Sequence, residues 1–188
     1  LNTLVCHYSD NIIFNNNNLS FLYLSYANKL SFLDKIPNLT RLVLRNYSGI
    51  DLSGINHLSN LDELTIRLAR KLIEIKDILE CKNLCEIEFE GINKQVDLSI
   101  LSKCENLKGL YLHMSIPNCL FLKEMKNIES FVCKEIEDND LSPIFESTTL
   151  SYVYLYKYKR TYNYNKKDFE KRFSIKWSSL SGITLPQN

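Results

Sequence analysis

The stretch NLCEIEF, residues 83–89, decides the fold because close copies of it recur along the chain. Aligned on their Asn-Leu start, the copies are NLSFLYL from Asn18, NLTRLVL from Asn38, NLDELTI from Asn60, NLCEIEF from Asn83, NLKGLYL from Asn106, NIESFVC from Asn127 and TLSYVYL from Thr149. Successive copies begin 20, 22, 23, 23, 21 and 22 residues apart, and the opening LNTLVC fits the same pattern without its Asn. Such regular self-similarity indicates a repeat protein of about eight units.

Within each copy the apolar residues alternate, as Ile87 and Phe89 do, which predicts a β-strand with one buried face. Between the copies, apolar residues fall three and four apart, a spacing typical of α- or 3₁₀-helix. Asp51, Asp97 and Asp140 each precede Leu-Ser at the start of such a segment. We expect these aspartates to cap the short helical turns.

The L-x-x-L-x-L pattern and its period resemble the leucine-rich-repeat family over about residues 1–158. The resemblance implies an α/β fold, a right-handed solenoid or horseshoe with a parallel β-sheet on its concave side. Short helical or 3₁₀ segments would form the convex side. Residues 159–188 leave the pattern and carry Phe169, Phe173 and Trp177, so we expect them to form a C-terminal cap.

The sequence departs from the family in the turn that follows each strand. Where the family usually carries Asn or Cys, three residues after the last strand leucine, this chain has Ala27, Tyr47, Ala69, Ile92, Ser115, Ile136 and Tyr158. We therefore expect the turn amides to be satisfied in another way.

Three columns of side chains are predicted to face outward on the concave sheet, at the third, fifth and seventh motif positions. The third column is Thr3, Phe21, Arg41, Glu63, Glu86, Gly109, Ser130 and Tyr152. The fifth is Val5, Tyr23, Val43, Thr65, Glu88, Tyr111, Val132 and Tyr154. The seventh is His7, Ser25, Arg45, Arg67, Glu90, His113, Lys134 and Tyr156.

The fifth repeat places three glutamates side by side in these columns. In the seventh column we expect Glu90 to pair with Arg67 and to lie near His113. In the third column Glu86 is predicted to lie beside Glu63, a repulsive contact.

Glu88 stands between Thr65 and Tyr111 in a column that contains no cation. Glu63, Glu86 and Glu88 are therefore predicted to meet basic groups of a partner, with nearby aromatic side chains as anchors. The alternative is that these charges only solubilise an exposed sheet. The predicted partner-binding residues are Phe21, Tyr23, Arg41, Arg45, Glu63, Arg67, Glu86, Glu88, Glu90, Tyr111, His113, Tyr152, Tyr154 and Tyr156.

No motif for catalysis, phosphate binding or zinc binding occurs in the sequence, so we expect no enzyme, no cofactor and no metal. Six cysteines, at positions 6, 81, 85, 104, 119 and 133, are spread through the apolar pattern. They are predicted to be free thiols, and Cys81 and Cys104 fall in a core column. Free thiols favour a reducing compartment, so we expect a cytoplasmic protein.

The net charge of +1 gives no general attraction to nucleic acid, and no apolar run is long enough to span a membrane. Residues 152–173 interleave six tyrosines with seven lysines or arginines, a composition found in proteins that bind single-stranded nucleic acid. Strand alternation already explains the first three tyrosines, so we do not expect this segment to bind nucleic acid. The chain does not begin with Met and opens within the pattern, so we expect it to belong to a longer product.

The resemblance implies a non-enzymatic module that binds a protein ligand on its concave sheet. One specific hypothesis is a cytoplasmic immunity protein that blocks a basic toxin. The alternatives are a secreted effector, or a surface-exposed recognition or scaffold domain of a longer protein.

Overall fold

The computed structural model describes residues 2–10, 13 and 18–173. Within these residues the strands are β1 (Thr3–His7), β2 (Phe21–Ser25), β3 (Arg41–Arg45), β4 (Glu63–Arg67), β5 (Glu86–Glu90), β6 (Gly109–Ile116), β7 (Ser130–Ile136) and β8 (Tyr152–Leu155). They form one sheet in consecutive order, and every neighbouring pair is parallel. The predicted right-handed leucine-rich-repeat horseshoe is confirmed.

The return segments on the convex side are short helices. The 3₁₀-helices span Ser31–Lys35, Ile55–His57, Lys76–Glu80, Leu98–Lys103 and Leu120–Lys123, and the α-helices are α1 (Ser142–Glu146) and α2 (Lys166–Arg172). The predicted cap is confirmed at Asp97, which is the N-cap residue of Leu98–Lys103. It is wrong at Asp51 and Asp140, because the N-cap residues of the helices that follow them are Gly54 and Leu141. Each of these aspartates accepts a hydrogen bond from the amide of the residue two positions later, at 2.8–2.9 Å.

The core is the stack of inward-facing strand residues over the apolar side of the return segments. Leu22, Leu42 and Ile87 illustrate the strand layer and are 0% exposed. Stacked coils bury a continuous apolar interior that one repeat alone cannot bury. All six cysteines are free thiols, and burial raises the pKa of Cys81 to about 12. The predicted core position of Cys81 is confirmed, since it is 4% exposed.

The recurring Asn of the motif has a structural role. The side-chain amides of Asn83, Asn106 and Asn127 donate to backbone carbonyls of the preceding coil, those of Ser59, Lys82 and Glu105, at 2.7–2.9 Å. In each case the acceptor belongs to the residue just before the equivalent motif position one coil earlier. This asparagine ladder joins three successive pairs of coils, and it lies on the side where the chain enters the sheet.

At the other end of the strands, the turn uses left-handed backbone in place of the family's usual side chain. Tyr26, Asn46, Leu68 and Gly91 follow equivalent strand positions with φ of 64°, 53°, 58° and 61°. Three of these turn amides, those of Tyr26, Asn46 and Leu68, donate to carbonyls of the next coil at 2.7–2.9 Å. The expectation that the turn is satisfied in another way is met by this backbone pairing.

One position of the predicted turn column is wrong. β6 contains a bulge between Leu112 and Ser115, after which Ser115 pairs with Glu135 and Ile116 pairs with Ile136. Ile116 is 0% exposed and fills the turn position predicted for Ser115. The extra residue of the bulge shifts the remainder of the strand by one place.

The last repeat is covered by aromatic side chains. The ring of Tyr164 stacks on Phe145 at a centroid distance of 3.7 Å, and Phe169 and Phe173 of the α2 region are buried beside them. Trp177, which is also predicted to belong to the cap, lies outside the described residues. The division at residues 158 and 159 stays a prediction.

No helix among the described residues is long and apolar enough to cross a bilayer.

Candidate functional site: the concave sheet face

We use the name concave face for the side chains at the third, fifth and seventh motif positions of β1–β8. The register aligns these positions as predicted from β1 through β5, for example Glu63 with Glu86 and Thr65 with Glu88. The face carries as many cations as carboxylates: Arg41, Arg45, Arg67 and Lys134 against Glu63, Glu86, Glu88 and Glu90. Its chemistry therefore depends on which of these charges pair with one another.

Glu88 interacts with both Arg67 and His113, so the prediction that it lacks a cation is wrong. Arg67 donates to its Oε1 from Nη2 at 2.7 Å and from Nε at 3.1 Å. The prediction considered neighbours within one column, whereas the long Arg67 side chain reaches diagonally from the seventh column to the fifth. Burial alone would raise the pKa of Glu88, but hydrogen bonds from His113 and Arg67 outweigh it and hold the pKa below its ordinary value.

His113 contacts Glu88 and not Glu90. Its Nε2 lies 3.5 Å from Oε1 of Glu88, and its Nδ1 is hydrogen-bonded to the Tyr156 hydroxyl at 2.8 Å. The strand pairing between β5 and β6 stops at Phe89, before the bulge, so His113 leaves the column in which it was predicted to meet Glu90.

Glu90 does approach Arg67, at 3.5 Å from Nε, as predicted. This contact is longer than the one that Arg67 makes with Glu88, and both of its side chains are more than 40% exposed. Such a pair contributes about 0–1 kcal/mol to stability.

On the N-terminal half of the face, Arg41 pairs with Glu63 at 2.9 Å. The same guanidinium lies over the ring of Phe21, 5.3 Å from its centroid. Arg45 interacts with Tyr23, and this interaction raises the pKa of the Arg45 guanidinium. The predicted residues of this half are thus paired with one another.

Glu86 differs from the other three glutamates of the face. It lies opposite Glu63 in the register, as predicted, and it forms no ion pair within the described part of the chain. Partial burial, together with the charges of Glu63 and Asp62, raises the pKa of Glu86. Glu86 is therefore the glutamate of the face whose charge is not compensated by an ion pair among the described residues.

Tyr111 lies beside Glu86 because the third column has a gap. Gly109 is the register neighbour of Glu86, and a methyl group on Gly109 would come within 2.9 Å of the Tyr111 hydroxyl and 3.0 Å of its ring. The ring therefore leans from the fifth column into the space above Gly109.

The C-terminal end of the face is a group of tyrosines. Tyr152 and Tyr154 on β8 are half-buried, and Tyr156 follows them at 36% exposure. The rings of Tyr154 and Tyr156 pack edge to face with centroids 5.2 Å apart. Since Tyr156 also reaches His113, this group is continuous with the contacts of Glu88.

Sequence reasoning missed Gly109 as a site residue. Its signal was its place in the third column, where it is the only glycine. It also lies two residues before Tyr111, which occupies the fifth column of the same strand. Asp62 was missed as well, because it occupies the second motif position, at the rim of the sheet, while its charge acts on Glu86.

Among the described residues, no group of three or more His, Cys, Asp or Glu side chains is arranged to hold a metal ion. Cys85, at the rim of the sheet, has a raised pKa because of burial and the neighbouring Asp62. A raised pKa disfavours the thiolate that nucleophilic chemistry requires.

The basic segment that suggested nucleic-acid binding does not form a single surface. Tyr162 is buried and its hydroxyl accepts a hydrogen bond from the amide of Ile136 at 2.9 Å, while Lys157 pairs with Glu135 at 2.9 Å. Arg172 donates to the carbonyl of Ser147. These side chains hold the last repeat together.

The chain was compared with family models, with known proteins and with solved structures. No family model matches the chain. Disease resistance protein UNI of Arabidopsis thaliana is 31% identical over 124 residues, which are 61% of this chain and 14% of that protein. The chain thus spans a small part of this relative. The crystal structure of an internalin from Listeria monocytogenes aligns with 73% of this chain and 48% of its own, at 17% identity and a TM-score of 0.49.

The motif copies, the consecutive parallel strands that they form and the 3₁₀ returns between them give this chain the fold that its resemblance to the leucine-rich-repeat family implies.

Proposed function

We propose that the protein is a non-enzymatic recognition module that binds a protein ligand on its concave face. The observation that carries the proposal is the group of partly exposed tyrosines on β6 and at β8, two strands that β7 separates: Tyr111, Tyr152, Tyr154 and Tyr156. Tyrosine is enriched where proteins bind one another, since it supplies a large contact area at a small cost in side-chain entropy. The paired charges around these tyrosines would form the polar rim of such an interface.

The specific role that we propose is that of a cytoplasmic immunity protein, an inhibitor that covers a basic toxin. Glu86 supports this role, because it is a carboxylate of the face without an ion pair among the described residues. The other carboxylates are already compensated. The attraction to a basic ligand is therefore local, and it acts next to Tyr111.

The test is affinity capture from the source organism with matched variants. Tyr154→Ala removes a tyrosine of the concave face, whereas Lys103→Ala changes an exposed residue of the convex helix Leu98–Lys103. We expect the protein captured by the wild type to be retained by the Lys103 variant and lost by the Tyr154 variant. Equal capture by the two folded variants would place the interface elsewhere.

A second candidate is a recognition domain within a longer protein, either a secreted effector or a surface-exposed or scaffold domain. It is favoured by the relation to a disease resistance protein of which the chain covers 14%. Immunoblotting of the native product distinguishes the two. A product in the cytosolic fraction that consists of little more than this repeat array supports the immunity role, and a much larger or secreted product supports the recognition domain.

A further inference from the structure

We propose that Glu86 and Tyr111 together form a seat for one arginine side chain of the ligand. This inference rests on the proposed function and specifies its chemistry. It commits to a guanidinium that pairs with the Glu86 carboxylate while lying against the Tyr111 ring.

The first argument is charge complementarity on the concave face. Arg41 lies 2.9 Å from Glu63, and Arg67 lies 2.7 Å from Glu88 and 3.5 Å from Glu90. Among the described residues, Glu86 has no comparable contact. A carboxylate beside Glu63 and near Asp62 is in a negative local field, which attracts a cation and repels an anion.

The second argument is the aromatic wall beside this carboxylate. The Tyr111 ring occupies the space where a side chain at Gly109 would stand, and Gly109 is paired in register with Glu86. A cation close to a tyrosine face gains about 0.5–1 kcal/mol at an exposed site, or roughly a two- to fivefold increase in affinity.

The geometry points to arginine among the possible cations. A guanidinium is planar, so it can stack on a ring and donate two hydrogen bonds to a carboxylate at once. The face already contains this combination, since Arg41 pairs with Glu63 and lies over Phe21. A divalent metal fits less well, because no group of three or more His, Cys, Asp or Glu side chains in the described ranges is arranged to hold one.

The seat can be tested with defined peptides in place of an unidentified ligand. The probes are acetyl-Gly-Arg-Gly-amide and its neutral citrulline analogue, and the readout is the NMR shift of the Glu86 carboxyl carbon and the Tyr111 ring. We expect saturable shifts at both residues with the arginine peptide, and an apparent affinity about tenfold above that of the citrulline peptide. Equal responses to the two peptides would overturn the proposal.

Matched variants test which residues cause the preference for the arginine peptide over the citrulline peptide. Glu86→Gln is expected to abolish the preference for arginine, while Glu90→Gln, which changes a carboxylate already bound by Arg67, is expected to keep it. Gly109→Ala should weaken binding of the arginine peptide, because it displaces Tyr111 and leaves Glu86 in place. Preservation of the preference in Glu86→Gln contradicts the seat.

The result of the peptide test can be distinguished from the result of the capture test of the proposed function. If the arginine peptide fails to shift Glu86 while Tyr154→Ala still abolishes capture of the protein ligand, the concave interface stands and the arginine seat is wrong. If Tyr154→Ala leaves capture unchanged and the peptide still binds at Glu86, the seat exists but the interface has been placed wrongly.

Discussion

One carboxylate oxygen of Glu88 accepts both hydrogen bonds that Arg67 donates, from Nη2 at 2.7 Å and from Nε at 3.1 Å. The same oxygen lies 3.5 Å from Nε2 of His113. A carboxylate that is 23% exposed thus holds a cation from β4 and an imidazole from β6, which ties three neighbouring strands together across the concave face.

Replacement of Arg67 by Met should lower the free energy of unfolding by about 1–2 kcal/mol, because a partly buried carboxylate loses charge-assisted hydrogen bonds. Urea denaturation at neutral pH measures the change. The matched control is Lys76→Met, which removes an exposed pair with Glu74 and should leave the free energy of unfolding nearly unchanged. Equal losses in the two variants would mean that the Arg67–Glu88 contact adds no stability.

Glu86→Gln should stabilise the protein at neutral pH, by less than about 1 kcal/mol. Partial burial and the neighbouring carboxylates raise the folded-state pKa of Glu86 above its ordinary value of 4.5, so its ionisation opposes folding. The wild type therefore loses stability as the pH rises through this raised pKa, and the glutamine variant does not. Below pH 4.5 the difference should disappear, as denaturation over a series of pH values would show. A variant that is less stable at neutral pH would contradict the environment described for Glu86.

Glu88→Gln should have the opposite effect, although Glu88 lies two residues away on the same strand. The pKa of Glu88 is held below 4.5, so its ionised form contributes stability above that pH and loses it as the pH falls through the lowered pKa. We expect this variant to be less stable than the wild type at neutral pH, by about 1–2 kcal/mol, and to approach it in acid. The same pH series measures both glutamate variants, and effects of equal sign would refute the assignment.

Removal of one rung of the asparagine ladder should be measurable. Asn106→Ala deletes the 2.7 Å hydrogen bond to the carbonyl of Lys82 and is expected to cost about 0.5–1.5 kcal/mol of unfolding free energy. Asn60→Ala, at the same motif position but without such a bond in the structure, should change stability by less than about 0.5 kcal/mol. Thermal or urea denaturation of the two variants measures both changes. Equal losses of stability would mean that the hydrogen bond of the ladder does not stabilise the fold.

Gly109→Ala should displace Tyr111, since the new methyl group would come within 2.9 Å of its hydroxyl. We expect a loss of about 1 kcal/mol and a shifted Tyr111 ring resonance. In the Tyr111→Ala background the same substitution should cost less, because the ring that it meets is gone. Additive costs in the double variant would show that the two residues do not interact.

The repeat unit could be predicted from the sequence, because both its period and its alternation come from local residue order. The register of Leu42, Leu64 and Ile87 follows directly from the aligned motifs. The bulge in β6 could not be predicted in this way, since the extra residue leaves the alternation of the first half of the strand unchanged. The apolar Ile116 beside Ser115 was its one visible sign.

The charge pairing of the site was predicted less well, for a physical reason. Column neighbours were identified correctly for Glu63 and Glu86, but long side chains also reach across columns, as Arg67 does to Glu88. Which of two acceptors such a side chain prefers depends on burial and rotamer, and neither can be obtained from spacing alone.

The asparagine ladder has a consequence for how such a chain changes in length. Donor and acceptor belong to the same motif, so every joint of the ladder is equivalent. Excision of residues 83–105 would bring the Asn106 amide to the carbonyl of Ser59, in the place that Asn83 now holds. The stack would close over the deletion, one coil shorter and without its three central glutamates. The joints thus allow the concave face to change by whole repeats while the scaffold beneath it is preserved.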